Sequence, residues 1–231
     1  MKMHSLVALV CAIGLGVVSI SASAQDDGNE RSETGTRFSK ERYNNKRDAR
    51  ATLSYFGRCV AEYKSDKIGK YLLDPSDTNW KAMTYFPNSQ SGCLTQYGMR
   101  SSFREMRGAL SEGWYLRKYP DGPPAGTVDD PKAAPSQKDS VARIMAADPA
   151  DRSSVIVDEF ALCVAATAPL EADALLRTKV TSKAERAAIN ALAPYFGPCA
   201  FEGQKMSFDV ESLRAALDYG MARRVAMRDA T

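Results

Sequence analysis

Apolar side chains recur along this chain mostly at helical spacing. Leu53, Phe56, Val60 and Tyr63 fall at i, i+3, i+7 and i+10, one face of a helix. Val157, Phe160, Ala161 and Val164 repeat that stripe about a hundred residues later. Near the end, Val210, Leu213, Leu217, Met221 and Val225 form a third stripe, with Asp209 placed to cap it. Ser182-Lys183-Ala184-Glu185 has the capping-box pattern and predicts a helix over 184–195 whose end Pro194 distorts. Asp74-Pro75-Ser76-Asp77 is a start signal for a short helix over 79–85. Stretches 94–100 and 200–208 read as short extended pieces, which a β-hairpin before each half's last helix would use. The expected fold class is mainly α.

The N-terminus follows a different pattern. Lys2 gives a positive start, Leu6–Ile20 is an apolar run, and Ala22-Ser23-Ala24 is a small-x-small triplet followed by polar Gln25-Asp26-Asp27. Residues 1–24 therefore read as a cleavable leader, the run being short for a span of ~30 Å of hydrocarbon. Its removal takes away Lys2, Cys11 and His4, the chain's one histidine. The remaining 207 residues carry 30 basic against 28 acidic side chains and no further stretch of membrane-span character. So even a balance gives no long-range field for nucleic acid, and the basic cluster Lys40–Arg50 is broken by Glu41 and Asp48. Residues 25–38 read as a disordered polar tail.

The rest reads as a duplicated unit. Cys59 and Cys93 lie 34 residues apart, and Cys163 and Cys199 lie 36 apart. Each first cysteine follows an aromatic residue in an apolar stretch (Phe56 or Phe160), and each second follows a Tyr-Phe pair (Tyr85-Phe86 or Tyr195-Phe196). Each half then passes Ser-Phe (Ser102-Phe103 or Ser207-Phe208) into a matching helix, Met106-Arg107-Gly108-Ala109-Leu110 or Leu213-Arg214-Ala215-Ala216-Leu217. Tyr119–Ser140, with five prolines and two glycines, separates the halves. The expected organisation is leader 1–24, tail 25–38, helical repeat 39–119, linker 120–139 and helical repeat 140–231, each repeat holding three or four helices.

An even number of cysteines in an exported chain points to disulfides. Four cysteines allow three connectivities, and equivalence of the halves selects Cys59–Cys93 with Cys163–Cys199. No C-x-x-C pair offers a redox motif, and without histidine a metal would need all four thiolates drawn from both halves. No metal or cofactor is expected.

Loss of the histidine removes Ser-His-Asp and Cys-His chemistry. No P-loop, G-x-G-x-x-G or G-x-S-x-G occurs. A pair of carboxylates, one with a raised pKa, is the chemistry left over. Glu62, Glu105, Glu112, Glu159, Glu171 and Glu202 are candidates, with nothing in the spacing to choose two. Arg107 and Arg214 stand out because they recur at matching positions. They read either as guanidinium forks for an anion or partner carboxylate, or as part-buried arginines pairing with an acid within their own half. Trp80 and Trp114 read as core side chains before partner-facing ones.

The pattern F-x-x-C-V, about 35 residues, C, then S-F and L-R-[GA]-A-L-x-x-G, after a leader, resembles a group of exported, uncharacterised proteins of alphaproteobacteria with a duplicated two-cysteine helical repeat. The resemblance covers residues 50–118 and 153–225 and carries over no catalytic residue. The expectation is a periplasmic or secreted, non-enzymatic protein that binds an envelope protein or cell-wall component. The alternative is a carboxylate-dependent hydrolase of cell-wall glycan.

Overall fold

The structure, a computed structural model, describes residues 46–85, 93, 101–124, 126 and 136–230, all within one compact unit, Ser39–Thr231. The expected leader, the tail and the extended piece at 94–100 lie outside the described residues.

Helix α1 (Lys46–Leu73) bends at Lys64, whose φ/ψ of −129°/24° is not helical. The bend redirects the apolar stripe. Phe56 and Val60 are buried before it and Ile68, Tyr71 and Leu72 after it, while Tyr63, expected on the buried face, is exposed. Lys64 Nζ donates to the carbonyls of Met83 and Tyr85, where α2 (Asp77–Thr84) ends, so the bend caps the neighbouring helix. Ser76 caps the start of α2.

Helix α3 (Phe103–Lys118) opens on a full capping box, with Glu105 N donating to Ser102 Oγ at 3.2 Å and Ser102 N to Glu105 Oε2 at 2.8 Å. Helix α4 (Gln137–Ala146) is capped by Ser136, so the linker ends earlier than its pattern implied. Helices α5 (Arg152–Thr167), α6 (Pro169–Arg177) and α7 (Lys183–Leu192) follow, then a 3-10 turn at Ala193–Tyr195 around Pro194 and a single turn, α8 (Phe196–Cys199). Asp209 caps α9 (Val210–Asp229) by accepting from Ser212 N at 2.7 Å.

No strand occurs among the described residues. The expected extended piece over 200–208 is a turn closed by Gln204 N donating to the Phe201 carbonyl at 3.1 Å. Phe201 is buried and Phe208 stacks on Phe160 with ring centroids 5.5 Å apart. These two aromatic contacts anchor the segment near both ends.

The centre of the fold is a pair of helices. α3 packs on α9, α1 on α3, and α5 on α9. Every residue of α9 from Leu213 to Ala226 except Arg223 is buried. Small residues make these approaches close enough to need them. A Cβ on Gly108 would stand 2.6 Å from Ala215 Cα, and one on Gly113 would stand 2.3 Å from the Gly57 carbonyl oxygen. The α5–α9 contact uses Ala161 against Gly220 in the same way. Gly113→Ala is therefore expected to destabilise by about 1–3 kcal/mol through overpacking. Gly197→Ala, in α8 with open space around it, should be neutral or slightly stabilising. Urea unfolding of the two variants checks the contrast.

Each disulfide ties a helix to the segment ahead of a central helix. Cys59–Cys93 joins α1 to the chain before α3, and Cys163–Cys199 joins α5 to α8, with Cα–Cα distances of 5.5 and 5.6 Å. The pairing is the symmetric one, and it leaves no thiolate for a four-cysteine metal site. The halves do not keep separate cores. Phe56, Leu110, Phe160 and Leu217 belong to one apolar cluster. No single described helix is long and apolar enough to cross a membrane. α5 and α6 together have the length but turn by 106° at their junction.

Candidate functional site

Charged side chains enter the core where α3 and α9 meet. Arg214, Glu112, Glu185 and Asp218 are each at most 3% exposed. Arg214 sits among the three acids. Its Nη2 is 3.4 Å from Glu112 Oε2, its Nη1 3.2 Å from Glu185 Oε1, and its Nε 3.5 Å from Asp218 Oδ2. It also donates to Thr178 Oγ1 at 2.8 Å and to the carbonyls of Leu176 and Thr178. Buried charge needs this density of partners, because each ion has lost its water.

Two arginines close the cluster from outside. Arg58 Nη2 donates to Glu112 Oε1 at 2.8 Å, beside Ser54 Oγ at 3.2 Å. Arg50 forks onto Glu185, at 2.6 and 3.3 Å. Glu185 thus departs from its expected capping box. Ser182 Oγ does accept from Glu185 N, but the Glu185 carboxylate takes Thr181 N at 2.7 Å together with the arginines. That bond holds Thr181 at φ +64°, a left-handed conformation rare for a β-branched residue.

Asp218 is the strained member. Its Oδ1 has no hydrogen-bond partner. Burial above all pushes its carboxyl well above the ordinary carboxylate range, Glu112 and Glu185 push the same way, and Arg214 pulls back. Burial also opposes the charge of Arg214, but Asp218, Glu112 and Glu185 outweigh it and hold the guanidinium charged.

Arg107 follows the same logic with one acid. It forks onto Asp158 of α5, its Nη1 at 2.8 Å from Oδ2, and its guanidinium lies 3.8 Å from the Tyr219 ring centroid. Burial opposes its charge, and Asp158 overcomes that by charge and hydrogen bonding. The pairing is reciprocal. Glu112 stands five residues after Arg107 and Tyr219 five after Arg214, and each arginine contacts the other half's residue at that place. Both arginines singled out in the sequence are thus buried, and each is spent on this chain's own groups. Arg107 reaches across to Asp158 in the other half, not within its own half as that reading expected, whereas Arg214 pairs within its own half with Glu185 and Asp218 and also reaches across to Glu112.

The sequence-predicted carboxylates scatter. Of the six, Glu112 joins this cluster. Glu159 is held by Arg143 at 2.6 Å and Ser140 at 2.8 Å, Glu105 caps α3, and Glu171 lies 3.5 Å from Tyr195 Oη. Glu62 and Glu202 are exposed. Asp218 and Asp173 were not singled out in the sequence, and Glu185 stood out only as a capping-box residue. Asp173 takes Tyr115 Oη at 2.7 Å and Arg177, and burial with that bond pushes the Tyr115 phenol up. One signal for Asp218 was present, since an Arg-Asp pair at i, i+4 shares a stripe with Leu217 and Met221.

α1 beyond its bend and the last turns of α3 and α9 enclose a depression of about 700 Å³. Trp114, 4% exposed, lines it, with Leu73 and Ala226 adding apolar wall and Lys70, Arg117 and Lys118 cationic groups. Trp80 is half-buried against the edge of the core, its ring tilted by 53° to that of exposed Phe103 with centroids 4.5 Å apart. Comparison of the chain with protein-family models, curated proteins and solved structures finds no match.

Proposed function

We propose that the chain is an exported, non-enzymatic binding module of the cell envelope, built as two related helical halves that share a core. The observation that carries this reading is how its charge is used. The carboxylates best suited to acid–base work are at most 3% exposed and lie against the chain's own arginines, while an open depression lined by Trp114 faces solvent. A wall-glycan hydrolase would want the close carboxylates and raised Asp218 found here, but a polymer cannot reach groups so buried. The two disulfides support an oxidising compartment.

Two measurements test the reading. Thiol titration of the protein recovered from the envelope is expected to find no free thiol before reduction and four after it. Crosslinking in intact cells is expected to join it to an envelope component. Recovery in the cytoplasm with reduced cysteines, or turnover of purified wall glycan, would overturn it.

A further inference from the structure

The depression beside Trp114 has a definite chemistry. Asp229 on its rim is occupied: Lys118 Nζ donates at 2.7 Å, Arg228 at 2.6 Å, and Tyr119 Oη also donates. Burial opposes the Asp229 charge, but these bonds dominate and hold its carboxyl at about 2, so it stays ionised and paired. Lys118 also lies over the rings of Trp114 and Tyr119, at 5.0 and 5.5 Å. The exposed side chains of Lys70 and Arg117 make no hydrogen bond or ion pair with a described residue. Three lining cations, Lys70, Arg117 and Lys118, stand against the two carboxylates Asp66 and Asp229.

A second observation concerns the wall itself. Trp114 is nine-tenths buried and more, yet its Nε1 donates to no described residue. Gly69 is what leaves room there, since a Cβ at that position would press within 3.3 Å of Nε1. The site thus offers two uncommitted cations, one uncommitted N–H donor and the apolar faces of Leu73 and Ala226.

We propose that this depression binds a phosphate ester, with Lys70, Arg117 and the Trp114 indole N–H taking the phosphate oxygens and Leu73 and Ala226 covering the carbon body. A phosphate group has the charge and acceptor count for two cations and an N–H donor. The volume leaves space for the attached carbon skeleton. The proposal rests on the binding-module reading and specifies its ligand chemistry.

The test uses the full exported protein with its disulfides intact. The probes are inorganic phosphate, glycerol 3-phosphate, and vesicles of phosphatidylglycerol or phosphatidylcholine, with tryptophan fluorescence as the readout. Only Trp80 and Trp114 contribute, and a Trp80→Phe background isolates the second. Saturable change is expected with glycerol 3-phosphate or phosphatidylglycerol vesicles, weakening as salt rises. Response to the soluble ester identifies a free metabolite as the source, and response to vesicles alone identifies a lipid headgroup. Lys70→Glu with Arg117→Glu should weaken binding at least about tenfold with an unchanged melt, since both side chains are exposed. Asp66→Asn should tighten it. No saturable response to any probe, or undiminished binding by the double variant, would overturn the proposal. Envelope crosslinking that persists in the double variant removes this site while leaving the binding-module reading in place.

Discussion

Arg214→Met is expected to leave little folded protein at neutral pH. Methionine fills much of the arginine's volume, so packing is not the main loss. Glu112, Glu185 and Asp218 would remain buried with their shared counter-charge gone, and Arg50 and Arg58 reach only the first two. Removing one partner of a buried ion pair costs about 3–5 kcal/mol, against a total stability of about 5–15 kcal/mol for an ordinary domain. Arg107→Met makes the comparison. Its acid, Asp158, is 14% exposed and can recover water, so a loss of about 1–3 kcal/mol is expected. Far-UV circular dichroism during urea unfolding measures both, and an Arg214→Met loss no larger than that of Arg107→Met would refute the account.

Asp218 supplies the pH dependence. Its folded carboxyl titrates well above the ordinary carboxylate range. A group raised on folding contributes stability that is fully present below its unfolded pKa, about 3.9, and is lost as pH rises through the folded value. Asp218→Asn, which keeps the shape and removes the charge, should therefore raise the melting temperature relative to the parent at pH 8 and leave it nearly unchanged at pH 4. A variant that melts lower than the parent at pH 8 would mean that the ion pair with Arg214 outweighs desolvation.

These charges also mark where sequence reading stops. Local signals were legible because their physics is local. Ser76, Ser182 and Asp209 cap helices where the pattern put them, and Pro194 breaks a helix into a 3-10 turn. The disulfide pairing was legible because the repeated motif supplied the long-range constraint that four cysteines lack. Tyr63 went wrong because the stripe assumes a straight helix, and the break at Lys64 is made by the end of α2, a distant neighbour. The cross-half partners, Asp158 for Arg107 and Glu112 for Arg214, were hidden for a similar reason. Asp158 is 51 residues from Arg107, and only the packing of α3 and α5 around α9 brings them together. Glu185 shows the limit most plainly, as its capping-box position was visible but two arginines from elsewhere recruited its carboxylate. The depression at Trp114 had no linear signature, because three separate helices build it.

Removing either disulfide by paired alanine substitution is expected to shift one cooperative transition, not to release one half. Closing a loop of 34 or 36 residues lowers the entropy of the unfolded chain by roughly 3.5–4 kcal/mol per bridge in the chain-entropy model, an upper figure if the native link is strained. For a chain of this size that corresponds to a fall in melting temperature of about 7–16 °C. Two independent lobes would confine the loss to the lobe that lost its bridge, and the melt would split. The contacts point the other way. Phe56 and Leu110 from one half share a cluster with Phe160 and Leu217 from the other, and Arg107–Asp158 and Arg214–Glu112 cross between the halves. Opening one half would expose that shared surface and strand those ions, so each bridge stabilises the whole unit. Calorimetry of Cys59→Ala/Cys93→Ala and of Cys163→Ala/Cys199→Ala should give a single shifted peak in each case. A two-step melt with one step at the parent temperature would show that the halves fold separately and that the buried charges do not couple them.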